Sequence, residues 1–426
     1  MPSCEPVLRT APKPWLNIAP AVLILCLILA GCGRPRDIPD DQAIAVLGSA
    51  SPLLPLYKGL YGLETGTRTT PVVILQIGDS HTANDSFSSR LRQQFQYHFG
   101  DDGRGVLPPG VPYNYYRPDR VAADSPGWTV YRAGRSPGPV GITGFRQHTD
   151  GPAQMTLYSA TPLDETNVTL EFLGQPGGGS VDIAGAAGWR TRVSTNAATT
   201  GPQWVALPKG AGGGKVTIDA TGDGPVDMLS WSADQDRPGV TVSNLGTIGA
   251  TVDLLLAMDP ALVRQELARL KPTAILVAFG TNEGYGAGTE AASYHARYEQ
   301  ALELLRGAAP SAAIVILGPP DSQKATARHF KGQTRCGDPR WGDPPRVDLV
   351  RDVQRQIAAE DHLVFWDWQA AMGGACSIGR WAAMSPPMAG RDHVHLLQPG
   401  YQATADGLFG MLMDGYRKYK SLGPGS

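Results

Sequence analysis

Short apolar runs alternate with longer amphipathic stretches in two parts of the chain, and a third part of different texture lies between them. Val72 to Ile77 is a β-branched apolar run that follows Pro71 and stops at Gly78, the pattern of a strand buried on both faces. Behind it Phe87, Leu91, Phe95 and Phe99 recur every four residues, which puts them on one face of a helix. Asp85 is placed to cap that helix and Gly100 to end it. From about 110 to 238 the helical period vanishes. Alternating runs such as Val168 to Leu173 and Lys215 to Asp219 are separated by glycine clusters at 177–179, 212–214 and 222–224, so this part is predicted to be antiparallel strands joined by turns. The first texture then returns, with strands predicted at Val240 to Ser243, Ala274 to Phe279, Ala313 to Leu317 and Leu363 to Trp366. Helices are predicted between and after them at Val252 to Leu270, Val347 to Ala359 and Tyr401 to Tyr419. This alternation predicts an α/β fold, a parallel sheet with helices on both faces, interrupted after its first strand and helix by a β-sandwich.

The N-terminus has a pattern of its own. Arg9 and Lys13 precede an apolar run from Ala21 to Ala30, about half the length a membrane-spanning helix needs, so a cleaved export signal is expected. Leu29-Ala30-Gly31-Cys32 resembles the lipobox of bacterial lipoproteins, which implies cleavage before Cys32 and a lipid on that residue. Gly33 rather than Asp follows it, which favours an outer-membrane tether. The expected organisation is therefore a signal peptide at 1–31, a polar tether at 32–44, an α/β domain at 45–109 and 239–426, and a β-rich module at 110–238. The protein is expected to be an exported cell-envelope lipoprotein on the periplasmic face, attached to the membrane through its N-terminal lipid.

Composition narrows the function. The 37 Lys and Arg residues nearly balance 39 Asp and Glu, and no block of one sign occurs, so the electrostatic footprint of a nucleic-acid binder is missing. Of five cysteines, Cys4 and Cys26 belong to the signal and Cys32 to the lipid site. Cys336 and Cys376 remain as a possible disulfide in an oxidising compartment, and their spacing does not suit a zinc site.

In an open α/β sheet, ligands gather at the carboxyl ends of the strands. The residues that follow the predicted strands there include Gly78-Asp79-Ser80-His81, Asn244 to Gly249 and Gly280-Thr281-Asn282-Glu283, while Asp392-His393-Val394-His395 precedes the last helix. A serine hydroxyl needs a base within hydrogen-bond reach and donors for the oxyanion that forms on its substrate. This set offers Ser80 as nucleophile, His395 as base and Asp392 as the carboxylate that orients the imidazole. The N–H groups of Ser80 and Gly249 and the Asn282 amide are the expected oxyanion donors. His393 with His395 and Asp392 is an alternative metal-binding spacing, but a metal-free and cofactor-free site is expected. Asp79 is read as a local hydrogen-bonding group and His81 as a structural or pocket residue. Trp231, Trp366, Trp368 and Trp381 are read mainly as buried aromatics.

These blocks, in this order, resemble the SGNH (GDSL-type) hydrolases, whose motifs carry Ser, Gly, Asn and a terminal Asp-x-x-His. The resemblance runs from about Leu53 to Tyr419. Gly78 to Ala83, Gly100 to Gly105 and Ala371 to Gly374 ahead of Trp381 are similar to the peptidoglycan O-acetylesterase branch. Asn84 stands where that branch would carry Gly. The resemblance implies a flavodoxin-like three-layer SGNH hydrolase fold with an inserted carbohydrate-binding-like β-sandwich. It implies metal-independent removal of O-acetyl groups from a cell-envelope glycan, peptidoglycan above all, through an acetyl-serine intermediate. Deacetylation or acetyl transfer on an exported polysaccharide, and non-catalytic glycan binding, are the alternative activities.

Overall fold

The computed structural model describes residues 51–160, 167–235, 237–326 and 335–423. The expected signal peptide, tether, Cys32 and the start of the first domain at 45 lie outside the described residues. The parallel sheet has five strands in the order Val240–Gly246, Val72–Gly78, Ala274–Ala278, Ala313–Leu317, Val364–Trp366. Every neighbouring pair is parallel, and the second strand in the chain lies outside the first, the 2-1-3-4-5 order of the flavodoxin-like fold. Side chains alternate across it. Ile74, Val242, Leu276 and Val315 face a core shared with helices Leu54–Glu64, Ser86–Phe99 and Gln398–Ser421. Leu75, Ile275, Val277 and Ile316 face helices Pro260–Leu270, Ala291–Ala308 and Val347–Glu360. Apolar residues on both faces explain why these strands read as continuous apolar runs.

The inserted part is a sandwich of two antiparallel sheets. One is built on strands Asn167–Gly174 and Val226–Asp234, the other on Ala153–Ser159 and Lys215–Ala220. Leu170, Phe172 and Trp231 from the first pack against Leu157, Ile183 and Ile218 from the second. Its sheet reaches back to strand Gly103–Leu107, which pairs with Val226–Asp234, rather than starting at 110. Gly103 and Gly105 hid that strand, because two glycines in five residues read as a loop.

Three expectations are corrected in the helices. Val252 to Leu270 is not one helix but two, Asp253–Leu256 and Pro260–Leu270. Pro260 has no N–H to continue the first, and the Asp259 carboxylate caps the second through the N–H groups of Ala261 and Leu262. Asp85 begins helix Ser86–Phe99 but makes no side-chain cap, because its carboxylate is drawn to buried arginines described below. Helix Ala291–Ala308 has no predicted counterpart, since its buried stripe is Tyr294, Tyr298, Ala301, Leu302 and Leu305 rather than a run of large aliphatics. Trp231, Trp366, Trp368 and Trp381 are all buried, as expected. Cys336 and Cys376 are joined by a disulfide that ties the segment before Trp341 to the start of helix Ser377–Ala382.

Candidate active site

Strand Val72–Gly78 ends at the point where the strand order reverses, and the chain turns at Asp79 into the short helix Ser80–Ala83. The Asp79 carboxylate accepts the His81 N–H at 2.9 Å, which fixes the turn and leaves the Ser80 side chain pointing out of it. A close approach of backbones makes this possible. Gly246, at the end of the neighbouring strand, lies so near that a Cβ there would meet the Ala83 nitrogen at 2.0 Å. Asn244, two residues earlier on the same strand, reaches across with its amide to the Ser88 hydroxyl at 2.6 Å and to the Thr82 carbonyl.

Ser80 Oγ lies 3.0 Å from His395 Nε2, and His395 Nδ1 lies 2.7 Å from Asp392 Oδ2. The other carboxylate oxygen of Asp392 accepts the N–H groups of Val394 and His395 at 3.0 and 3.1 Å. Burial pushes the Asp392 carboxyl up, but the hydrogen bonds from the His395 ring and these two amides outweigh it and hold the group below the usual carboxylate range. It is therefore ionised at neutral pH and favours the tautomer in which His395 Nδ1 carries the proton and Nε2 faces Ser80.

The expected oxyanion donors lie on the two flanking strands' exits. Thr247 to Ala250 forms a turn closed by the Ala250 N–H on the Thr247 carbonyl at 3.1 Å, with Gly249 at φ +65°. That angle suits glycine and marks the third position of a type II turn. Among the described residues no acceptor takes the N–H of Gly249 or of Ser80. Asn282, in helix Thr281–Tyr285, donates one amide hydrogen to the Ala250 carbonyl at 2.8 Å, which ties it to the same turn. The structure thus gathers Ser80, His395 and Asp392 into one relay and links Gly249 to Asn282 through Ala250.

His393 is turned elsewhere. Its Nδ1 is 2.7 Å from Gln323 Oε1, and its ring stacks on Trp341 at 3.8 Å, so Asp392 and His395 do not share a ligand set with it. His81 is buried with Nδ1 3.0 Å from the Tyr401 hydroxyl. Burial, reinforced by the nearby His395, pushes the His81 imidazole down to about 3, so it stays neutral. Asn84 accepts the Ser86 N–H through its side chain at 3.1 Å and is exposed.

Sequence patterns gave no sign of two supports. Asp85 is held by Arg92 at 3.0 Å and Arg104 at 2.9 Å, all three buried, and also accepts the Asp119 N–H at 2.8 Å. Burial pushes the Asp85 carboxyl up, but the two guanidinium charges dominate and hold it far below its ordinary value. This cluster locks the helix behind the nucleophile to the inserted module. Glu283, beside Asn282, is the second support: it accepts the Val252 N–H at 2.8 Å.

Burial pushes Glu283 up to about 8 and Asp79 up to about 7. For each, the folded pKa exceeds the unfolded one, so the unfolded chain loses its proton first as pH rises. Their contribution to stability is therefore fully present below about pH 4, declines through the window up to about pH 8, and is flat above it. Glu283→Gln, neutral at every pH and still able to accept the Val252 N–H, is expected to flatten part of that slope. The expected gain at pH 8.5 relative to pH 5 is on the order of a few kcal/mol by urea unfolding. An unchanged slope would show that Glu283 is ionised in the fold.

Residues 210–403 match the GDSL-like lipase/acylhydrolase family; the span holds Gly249, Asn282, Asp392 and His395, and Ser80 lies outside it. No curated protein sequence matches the chain. Among solved structures, a peptidoglycan O-acetylesterase is 28% identical over 87% of this chain and 97% of its own, with a TM-score of 0.71. A family two carbohydrate esterase from Cellvibrio japonicus is 12% identical over 70% of this chain and 98% of its own at a TM-score of 0.25. An acetyl xylan esterase is 14% identical over 40% and 80% at 0.29, and overlaps this low do not bear on function. The family match and the first of these structures agree with the sheet order and support an SGNH-type carboxylic ester hydrolase that resembles the peptidoglycan O-acetylesterase branch.

Proposed function

We propose that the protein removes O-acetyl groups from a cell-envelope glycan, with peptidoglycan as the substrate class. The observation that carries this reading is the relay from Asp392 through His395 to Ser80, beside two N–H groups that take no acceptor among the described residues. His395 Nε2 removes the Ser80 proton as Oγ attacks the ester carbonyl. The N–H groups of Ser80 and Gly249 and the Asn282 amide bind the oxyanion, and His395 returns the proton to the leaving sugar oxygen. Water, activated by the same imidazole, then releases acetate from the acetyl-Ser80 ester. The likeness to a peptidoglycan O-acetylesterase along nearly its whole length supports the substrate class. The Leu29-Ala30-Gly31-Cys32 pattern supports a lipid anchor at Cys32 that would hold the enzyme against the envelope, on the periplasmic face.

Acetate release from O-acetylated peptidoglycan and from acetylated xylan, with a small acetyl ester alongside, tests the reading. Faster release from peptidoglycan, unaffected by a chelator, is expected. Cleavage of the small ester without release from peptidoglycan would move the substrate elsewhere. Loss of activity on chelation, restored by a divalent metal, would overturn the serine mechanism.

A further inference from the structure

The inserted sandwich touches the oxyanion turn through one charged side chain. Arg132, the last residue of strand Thr129–Arg132, donates from Nη1 to the Ile248 carbonyl oxygen at 2.8 Å. The residue is itself held in place. Its carbonyl accepts the N–H groups of Arg135 and Ser136 at 3.1 and 3.0 Å, and its own N–H reaches the Ser136 hydroxyl at 3.2 Å. No carboxylate pairs with the guanidinium among the described residues, and its Nε is buried without an acceptor. Among the described residues the Ile248 carbonyl is the one acceptor of this guanidinium.

That carbonyl belongs to the same peptide unit as the Gly249 N–H. In a trans peptide the C=O and N–H point in opposite directions, so a donor fixed on the oxygen fixes the direction of the hydrogen. The unit is also the central peptide of the Thr247 to Ala250 turn, the one whose rotation by half a circle converts a type II turn into a type I turn. Glycine at 249 tolerates both forms, since φ near +65° and φ near −90° are both open to it. Nothing in the turn's own Thr247 to Ala250 hydrogen bond chooses between them, because both forms keep it. Arg132 does choose: only the form with the Ile248 oxygen toward the guanidinium keeps the 2.8 Å bond.

We infer that Arg132 of the inserted module is a positioning residue for ester hydrolysis: it holds the Ile248–Gly249 peptide so that the Gly249 N–H stays available to the substrate oxyanion. The inference rests on the esterase reading given above and adds to it. A cation on the carbonyl side also draws electron density through the amide, which strengthens the N–H as a donor. The inserted sandwich is thereby a working part of the hydrolase site as well as an appended module, and the turn's orientation depends on how the module docks.

The test uses the full chain and a small acetyl ester that reaches no glycan-binding surface. Wild type, Ser80→Ala, Arg132→Met and Glu266→Gln are compared for kcat, KM and inhibition by a boronic acid that forms a tetrahedral adduct on serine. Glu266 accepts the Ile142 N–H at 2.6 Å and so lies on the same module boundary, with no hydrogen bond to the turn among the described residues. Loss of a whole oxyanion donor costs about 10²–10³ in kcat, so Arg132→Met, which frees the donor to turn away, is expected to lose about 10- to 100-fold. KM should stay within about twofold, boronate affinity should fall in step with kcat, and Glu266→Gln should match the wild type. Should Arg132→Met fail to fold, Arg132→Gln decides, because it keeps a neutral N–H for the Ile248 carbonyl; a loss of about 3- to 30-fold in kcat is expected for it. An unchanged kcat in a folded Arg132 variant overturns the inference, as does a rise in KM alone or an equal loss in Glu266→Gln. A wild type no more active than Ser80→Ala overturns the esterase reading and this inference with it, a pattern none of the other outcomes shares.

Discussion

Ser80→Ala is expected to lower kcat/KM for a small acetyl ester by about 10⁴- to 10⁶-fold, which leaves at most the acceleration that oxyanion donors and binding supply alone. The fold should be untouched. The hydroxyl's hydrogen-bond partner is His395 Nε2, and that bond sits at the surface end of the sheet, away from both cores. Its removal leaves no buried donor or acceptor orphaned, so the melting temperature should stay within about 2 °C of the wild type. Initial rates and a thermal melt on the same sample decide the matter. A variant that keeps a tenth of the wild-type rate would remove Ser80 from the mechanism, whatever its neighbours suggest. A variant that loses both rate and melting temperature would make the residue structural and leave the nucleophile open.

The parts of this molecule that were legible in the sequence are those with a local signature. Val72–Gly78 and Ala274–Ala278 read as buried parallel strands because both faces are apolar over consecutive residues, and the α/β alternation then gives a parallel sheet, whose flavodoxin-like order only the family resemblance implied. Ser80, Asn282 and the Asp392 to His395 turn were legible because each follows a strand end or precedes a helix at the carboxyl edge of the sheet. What was not legible is pairing across long stretches of chain. Arg132 meets Ile248, Arg104 meets Asp85, and Trp341 stacks on His393 without any periodic pattern to announce it. Asp85 shows the cost of local rules. Its place before an apolar helical stripe suggests a cap, yet two guanidinium groups in an interior of low dielectric compete for that carboxylate more strongly than a backbone N–H does. Helix Ala291–Ala308 shows the limit of periodicity itself, because tyrosine and alanine on its inner face give a weak apolar contrast.

The second large effect is expected at Asp392. Its two carboxylate oxygens are used differently: Oδ1 accepts the N–H groups of Val394 and His395, and Oδ2 receives the His395 ring. In Asp392→Asn the carbonyl oxygen is the one group that suits the two backbone donors, so the amide nitrogen is forced into the Oδ2 position. A donor there faces His395 Nδ1 and selects the tautomer with a bare Nδ1 and a proton on Nε2. The hydrogen then sits between Nε2 and Ser80 Oγ, and the imidazole has no lone pair to take the serine proton. A buried aspartate in this role gives a loss of about 10⁴-fold; with roughly half of both side chains open to water here, a loss of about 10³-fold is expected. Asp392→Ala lacks the misdirecting amide and leaves both tautomers accessible, so it should keep more activity than the asparagine variant despite being the larger truncation. Rates of the two variants against pH, with a nitrogen NMR measurement of the His395 ring, separate the cases. If asparagine is the better replacement, the role of Asp392 is to place the ring rather than to set its tautomer, and the orientation of the Asp392 to His395 turn becomes the property to explain.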